Sequence, residues 1–509
     1  MATGVAALCA LAVIFFAWHG SDLPAQTYRV SVFRQYGWLT FDMFWYSGHY
    51  LITYSFLTPA FAGALGLRLV GWLGAATAAG GFSRLATAHV GKIALPASLV
   101  FAAGTAVPLL IGEITFLTGF AIGLWALVAV DARRRALGPV LALGATLASP
   151  LAGLFLLLTL TAWAVAYRDG RLDRLLAASA TAVPLTVSAL AFHEVGVYDF
   201  SAGQLVAVLI CSAVGWWAVP AHMRAIRTGL ILYGILGVGL FVVQNPVGGN
   251  LVRLGAYLAP ALAVIACWPR RSRLLVVLLV PALIWQWSSG VTALSHARGD
   301  PTRDESYFQP LVRELARLPG PARVEIPPTS QHWEATYVAT HVPLARGWER
   351  QIDVARNPLF YGDRLTATAY RRWLYANGVT WVALSDATSD PAGEAEAALI
   401  RRGLPYLRPT WTGHHWQVWK VSGSPGLLTG AARLDIDSPA QFTLVAQRPT
   451  DVVVRFRYTR TWVVAAGRAC IQPAAGGWTR VRIRSAGAVV VSSRLFAHHS
   501  GCPDEEPTN

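Results

Sequence analysis

Charge is scarce in this chain. Asp, Glu, Lys and Arg make up 14% of its 509 residues, where an average soluble protein carries about 25%. Lysine is nearly absent, occurring at Lys92 and Lys420, so the net charge of +15 is carried by arginine. No Cys/His spacing matches a zinc site. No GxGxxG, P-loop, GxSxG or HExxH occurs in a fitting context, which argues against nucleotide-dependent cytosolic chemistry. Motifs for RNA or DNA binding are also missing, and in a membrane chain a basic balance serves topology and anionic lipid, so no nucleic-acid partner is expected. The first residues, MATGVAALCALAVIFFAWHG, lack the basic segment and the clean cleavage site of a signal peptide and read as a first membrane helix.

Hydrophobic residues make up 54% of the chain, and the excess lies in residues 1–294. Apolar runs at 2–18, 52–80, 93–110, 113–130, 138–149, 151–166, 175–192, 204–219, 230–244, 251–268 and 274–293 predict an α-helical polytopic bundle of about 11 membrane helices. Alternate breaks are basic: Arg84 and Lys92; Arg133, Arg134 and Arg135; Arg168, Arg171 and Arg174; Arg224 and Arg227; Arg270, Arg271 and Arg273. The other breaks carry little beyond Arg29 and Arg34. This asymmetry predicts a multi-pass plasma-membrane protein with a cytoplasmic N-terminus. It places outside the membrane the loop 19–50, the loop 193–203, the turn 245–250 and everything after residue 294. Ser149-Pro150 interrupts the run 138–166, and a helical hairpin there keeps both flanking basic clusters on one side.

Residues 295–421 alternate helix and strand patterns and predict a small extracytoplasmic α/β domain. Residues 422–509 switch to strict alternation, as in DVVVRFRY and TRVRIRS, and predict a β-sandwich-like domain. Of the five cysteines, Cys9, Cys211 and Cys267 lie in apolar runs and read as small buried hydrophobes. Cys470 and Cys502 are disulfide candidates if this region is extracytoplasmic.

Four groups of residues have chemistry to offer. In the loop 19–50, Asp22 ends the first apolar run, and Asp42, Tyr46 and His49 follow within an aromatic-rich stretch. Ser21-Asp22-Leu23-Pro24 is equally a helix start, and the aromatic stretch equally an interfacial belt. In QNPVGGNLVRLG, Arg253 follows a Gly-rich turn containing Asn250. An arginine at that depth either snorkels to the headgroups or holds an anion such as a lipid phosphate. Glu113, in GEITF, is placed to pair with Arg253, to assist Asp22 or to cap the following helix; His193, Glu194 and Asp199 lie in a further outer loop. Last, SQHWEATYVATHVPLARGWERQID presents His332, Trp333, Glu334, Trp348, Glu349 and Arg350. Aromatic faces mixed with charged tips suit a sugar, and equally an ordinary helix–strand interface.

The first helix, the long loop opening with an acid, and WYSGHYLITYSFLTPAFAGALG entering the second helix together resemble the GT-C superfamily of integral membrane glycosyltransferases, and within it large actinobacterial members. The resemblance implies a multi-helix core with an extracytoplasmic domain. It also implies transfer of a sugar, with inversion, from a polyprenyl-phosphate donor to a cell-envelope glycan or lipid acceptor. By position Asp22 then matches the loop acid that serves as general base, with Asp42 as the second acid of the loop. Arg253 and Asn250 would hold the donor phosphate, and Glu113, His49, Tyr46 and the 332–350 residues would line the substrate cavity. Family members often carry paired acids where this chain has Ser21-Asp22, a departure that leaves dependence on a divalent metal open; no other cofactor is implied. The competing readings are a transporter or lipid/sugar flippase, and a non-catalytic envelope scaffold of the same architecture. Against the transporter, the chain shows no halves related by hydropathy and no acid deep within its apolar runs.

Overall fold

The computed structural model describes residues 1–192, 196–496 and 500–502. The chain divides into two compact units, one formed by Met1–Gln26 with Thr53–Arg298 and the other by Thr27–Ile52 with Gly299–Asn509.

The first unit is helical. Among the described residues, six of its segments are long and apolar enough to cross a membrane: Leu67–Ile111, Ile114–Asp131, Arg171–Ala191, Arg224–Val242, Gly248–Cys267 and Ser272–Ala297. Four shorter apolar helices, Ala2–Phe16, Leu137–Ala148, Pro150–Ala166 and Ala202–Ala218, accompany them. The run expected at 52–80 is not one helix. It splits into Thr58–Leu65 and Leu67–Val90 at Gly66, whose φ of 86° interrupts the helical path. The hairpin expected at Ser149-Pro150 has a local cause. The Ser149 hydroxyl accepts the N–H of Ala152, and Pro150 occupies the first helical turn, where its missing donor costs nothing. Ser201 and Gln204 form a reciprocal capping box at the start of the helix Ala202–Ala218.

The second unit contains three four-stranded sheets. One is mixed, in the order Arg323–Glu325, Val379–Ser385, Trp416–Val421, Leu407–Gly413. Its first pair is parallel and the rest antiparallel, and the helices Glu305–Leu315, Ala367–Ala376 and Pro391–Arg401 accompany it in sequence. The other two sheets are antiparallel and come from residues 428–493. Their apolar faces meet where Phe442 packs against Phe456 and Trp462, each with ring centroids 5.4 Å apart. Cys470 and Cys502 form a disulfide.

The loop 19–50 divides between the units. Its first residues stay with the helical bundle, a helix runs from Leu23 to Tyr36, and residues 27–52 belong to the second unit. There a two-stranded hairpin, Phe41–Asp42 against His49–Tyr50, is threaded through the interior. Phe41, Trp45, Tyr46 and His49 are almost wholly buried. Backbone hydrogen bonds tie the segment both to the α/β part, Leu344 N–H to Phe44 C=O, and to the sandwich, Met43 N–H to Pro439 C=O and Arg457 N–H to Ser47 C=O. A stretch this aromatic gains most by leaving water altogether, so it serves as core rather than as an interfacial belt.

Candidate functional site

The helical unit gathers Asp22, Glu113, Arg253 and Tyr257. Two glycines make the approach feasible. A Cβ on Gly20 would lie 2.2 Å from the carbonyl carbon of Ile111, and one on Gly112 would lie 2.7 Å from the backbone nitrogen of Leu23. With both side chains absent the two backbones touch, and the Asp22 N–H donates to the Ile111 carbonyl at 2.9 Å. Gly112 also ends the helix Ala106–Ile111 in the left-handed conformation that glycine adopts without penalty. The result sets Asp22 beside Gly112-Glu113.

Glu113 precedes the helix Ile114–Asp131 but makes no side-chain cap to it. One of its carboxylate oxygens lies 3.2 Å from an Arg253 guanidinium nitrogen, and the other accepts the Tyr257 hydroxyl at 2.7 Å. The same guanidinium nitrogen lies 3.9 Å from an Asp22 carboxylate oxygen, within ion-pair range but beyond hydrogen-bond length. Phe116 supplies an apolar wall. Its ring stacks on Tyr257 with centroids 5.6 Å apart, and the Arg253 guanidinium lies 5.9 Å from its centroid. The side chain of Glu113 is 4% exposed, against 15% for Asp22 and 25% for Arg253. The buried acid therefore anchors the cation, while Asp22 and Arg253 keep a solvent-facing side. Asn250 lies in the 3-10 turn Gly248–Leu251 that leads into the Arg253 helix. Tyr257 was not among the residues singled out, although its spacing of four from Arg253 puts the two on one helix face.

In the second unit Asp42 is fully buried and accepts the Tyr28 hydroxyl and the Phe44 N–H, each at 2.8 Å. Burial pushes its carboxyl up to about 7, against the lowering effect of those two donors and of Arg29. Glu349 is paired with Arg29, and His49 Nε2 lies 3.6 Å from the same carboxylate oxygen of Glu349. Burial, and then Arg29 and Arg356, hold the His49 imidazole well below its usual value, so it is neutral. The Tyr46 hydroxyl donates to the Glu349 carbonyl at 2.9 Å. These partners tie the hairpin to the α/β part. They satisfy Asp42 and Tyr46, whereas neither ring nitrogen of the buried His49 has a hydrogen-bond partner among the described residues.

His332 and Arg350 converge on Asp390, and Glu334 lies on the other side of the His332 ring. His332 Nε2 is 3.2 Å and an Arg350 nitrogen 2.7 Å from the Asp390 carboxylate, and His332 Nδ1 lies 3.7 Å from Glu334. Burial disfavours the Asp390 anion, but the hydrogen bonds from His332 and Arg350 outweigh it and hold the carboxyl well below the usual carboxylate range. Glu334 is buried and accepts the Thr329 hydroxyl at 2.6 Å. Trp333 is buried against Tyr337, rings stacked 5.0 Å apart, while Trp348 is half-buried. Asp390 was not among the residues singled out; it also caps the helix Pro391–Arg401 by accepting the Ala392 N–H.

His193 and Glu194 lie outside the described residues; Asp199 accepts the Gly249 N–H through its backbone carbonyl. Among the described residues no group of three or more His, Cys, Asp or Glu side chains is placed to hold a metal ion.

No protein-family model and no curated protein matches the chain. Among solved structures, the mycobacterial arabinofuranosyltransferase AftD, determined by single-particle cryo-EM, is similar with a TM-score of 0.44 and 13% sequence identity, over 97% of this chain and 57% of that one. The chain thus spans little more than half the length of that protein.

Proposed function

We propose that the chain is a membrane glycosyltransferase of the GT-C type that moves a sugar from a polyprenyl-phosphate donor to an acceptor of the cell envelope, outside the membrane, with Asp22 as general base. The observation that carries this reading is the unequal sharing of Arg253. Glu113 lies 3.2 Å from it and Asp22 3.9 Å. One cation between two carboxylates leaves room for one more anion only if a carboxylate gives way, and the looser partner is Asp22.

A donor phosphate settling on Arg253 would draw the guanidinium from Asp22. The carboxylate, its cation now shared with the phosphate and a second negative charge nearby, becomes the better base at the moment base is needed. An acceptor hydroxyl then gives its proton to Asp22 as its oxygen bonds to the anomeric carbon, and the bond from that carbon to the phosphate oxygen breaks with its electron pair. The phosphate leaves as a dianion stabilised by Arg253. Glu113, held by Tyr257 and buried against Phe116 and its neighbours, positions the cation throughout. Asn250 is a further donor for the phosphate. Tyr46 and Asp42 have structural hydrogen-bond partners, and in this reading they and the buried His49 support the second unit rather than the chemistry. The surface around His332, Trp348 and Arg350 is the proposed acceptor-facing region.

Transfer of radiolabelled polyprenyl-phosphate sugars to envelope acceptors by membranes containing the wild type, Arg253→Gln or Asp22→Asn tests the proposal. The wild type is expected to transfer label, and both variants to lose it while remaining in the membrane at normal abundance. Absence of transfer by the wild type with every donor class tried would favour the transporter or scaffold readings instead.

A further inference from the structure

We propose that the helical unit holds an anionic membrane phospholipid at the end of the bundle opposite Asp22, one hydrocarbon chain in an internal cavity and the phosphate on Arg174. The helix Ile114–Asp131 defines the two ends. Glu113 precedes its first residue, and Asp131 is its last; 18 residues at 1.5 Å each separate them by about 27 Å. A cavity of about 730 Å³ opens beside the Asp131 end, a volume within the range of ligand-holding sites.

The wall of this cavity follows the helix from Asp131 back to Phe120, which is about 16 Å at the helical rise. That is close to half the roughly 30 Å hydrocarbon thickness of a bilayer, the reach of one chain from one leaflet. The wall is apolar, with Leu127, Phe155, Leu158, Leu258 and Leu262 among its residues. A space so lined does not retain water and suits a hydrocarbon. On this helix the lining ends at Phe120, whose ring stacks on Phe116 with centroids 5.5 Å apart, and on the helix Val252–Cys267 it runs from Ile265 to Gly255 and Leu254, next to Arg253.

Its mouth is polar and lined by Arg133, Tyr167, Arg174 and His222. Arg133 is already paired with Asp169, and His89 with Asp131 at 3.2 Å. Arg174 differs. It is 8% exposed, its guanidinium lies 4.6 Å from the centroid of the Trp163 ring, one terminal nitrogen donates to the Tyr167 carbonyl at 3.0 Å, and its Nε has no hydrogen-bond partner among the described residues. A buried guanidinium with an unused donor, at the mouth of an apolar chain-length cavity, asks for an anion with a tail. The two breaks carry Arg133, Arg134, Arg135, Arg168, Arg171 and Arg174 against Asp131, Asp169 and Asp173, a net positive charge that favours an anionic over a zwitterionic headgroup. None of these residues takes part in the proposed sugar transfer, so the two ideas stand or fall separately.

The test uses the full chain in lipid nanodiscs doped with phosphatidylglycerol carrying a diazirine in one acyl chain, and in parallel with phosphatidylcholine carrying the same chain. After photolysis, adducts are mapped by mass spectrometry. Adducts on the peptides holding Leu127, Leu158 or Leu262 are expected, several-fold more abundant from phosphatidylglycerol. Arg174→Gln should abolish that preference and Arg174→Lys retain it. Gly229→Phe fills the cavity from a position where an added Cβ meets only the Ala162 Cβ at 3.6 Å, and should remove adducts from both lipids. Equal labelling by the two lipids in the wild type, no adducts on these peptides, or labelling unchanged in both Arg174→Gln and Gly229→Phe would overturn the proposal.

Discussion

Glu113 grips Arg253 with one carboxylate oxygen at 3.2 Å and holds the Tyr257 hydroxyl with the other at 2.7 Å. The acid is buried and the two partners lie on one face of one helix, so the pair fixes where the guanidinium points. In a site walled by Phe116, little water competes for these bonds, and each is stronger than it would be at an exposed surface.

Tyr257→Phe removes one hydrogen bond to a charged group, a contribution of about 1.5–3 kcal/mol. Glu113 and Arg253 then lose their fixed orientation. Transfer activity is expected to fall on the order of 10-fold to 100-fold, the scale of loss when a group at a reacting centre is misplaced by about 1 Å. The fall should appear chiefly as a raised KM for the donor. Glu113→Gln removes the anchor's charge and should lower activity further and reduce thermal stability in detergent, read by fluorescence-detected gel filtration. Unchanged donor KM in both variants would show that the Glu113–Arg253 pair does not position the cation for phosphate.

Asp42 gives a stability signature of known sign. Burial raises its folded-state carboxyl from the usual 3.8 to about 7. Between those values the folded chain holds a proton that the unfolded chain has released, so this group makes stability fall as pH rises from about 4 to about 7. Asp42→Asn lacks this dependence. Relative to wild type, the variant should gain stability as pH is raised through that window and hold the gain above it. Thermal unfolding of the full chain across pH 4–8, compared between the two proteins, checks the slope, and a flat difference would contradict the assignment.

Asp390 predicts the opposite sign. His332 and Arg350 stabilise its anion and hold its carboxyl below the usual range. The stability it supplies is therefore present at neutral pH and lost as pH falls below about 4. Asp390→Asn should unfold more readily than wild type at pH 7, with the deficit shrinking on acidification. Arg350→Gln should show a smaller version of the same pattern, measured by the same unfolding curves.

Much of the helical unit was legible because its causes are local. Apolar runs set the helices, and Ser149-Pro150 marks a cap and a first-turn proline wherever it stands. The pairing of Arg253 with Glu113 was one of the options open to Glu113, since a charge at that depth requires a partner. Tyr257 was within reach through helix periodicity alone. The fate of residues 27–52 was not. Aromatic density looks the same whether the rings will meet headgroups or a protein core. What decides it are partners far away in sequence, Ala335 for the Trp45 indole and Glu349 for the Tyr46 hydroxyl. The surroundings of Asp42 were hidden for the same reason. An acid in a loop that resembles a catalytic loop carries no local sign that Tyr28 and the Phe44 N–H already occupy it. Nor does the break of the second apolar run at Gly66 show in hydropathy, which counts a glycine with φ of 86° as just another small residue.

The most direct test of the account is the rate of a single turnover at saturating labelled donor and acceptor, compared between wild type and Asp22→Asn after donor binding has been measured for each. The account predicts donor affinity at least as high as wild type, because Arg253 and Glu113 are untouched and the carboxylate that the phosphate must displace is gone, and a turnover rate lower by about 10²–10⁴-fold, the contribution of a general base. A turnover rate equal to wild type, with binding intact, would contradict it.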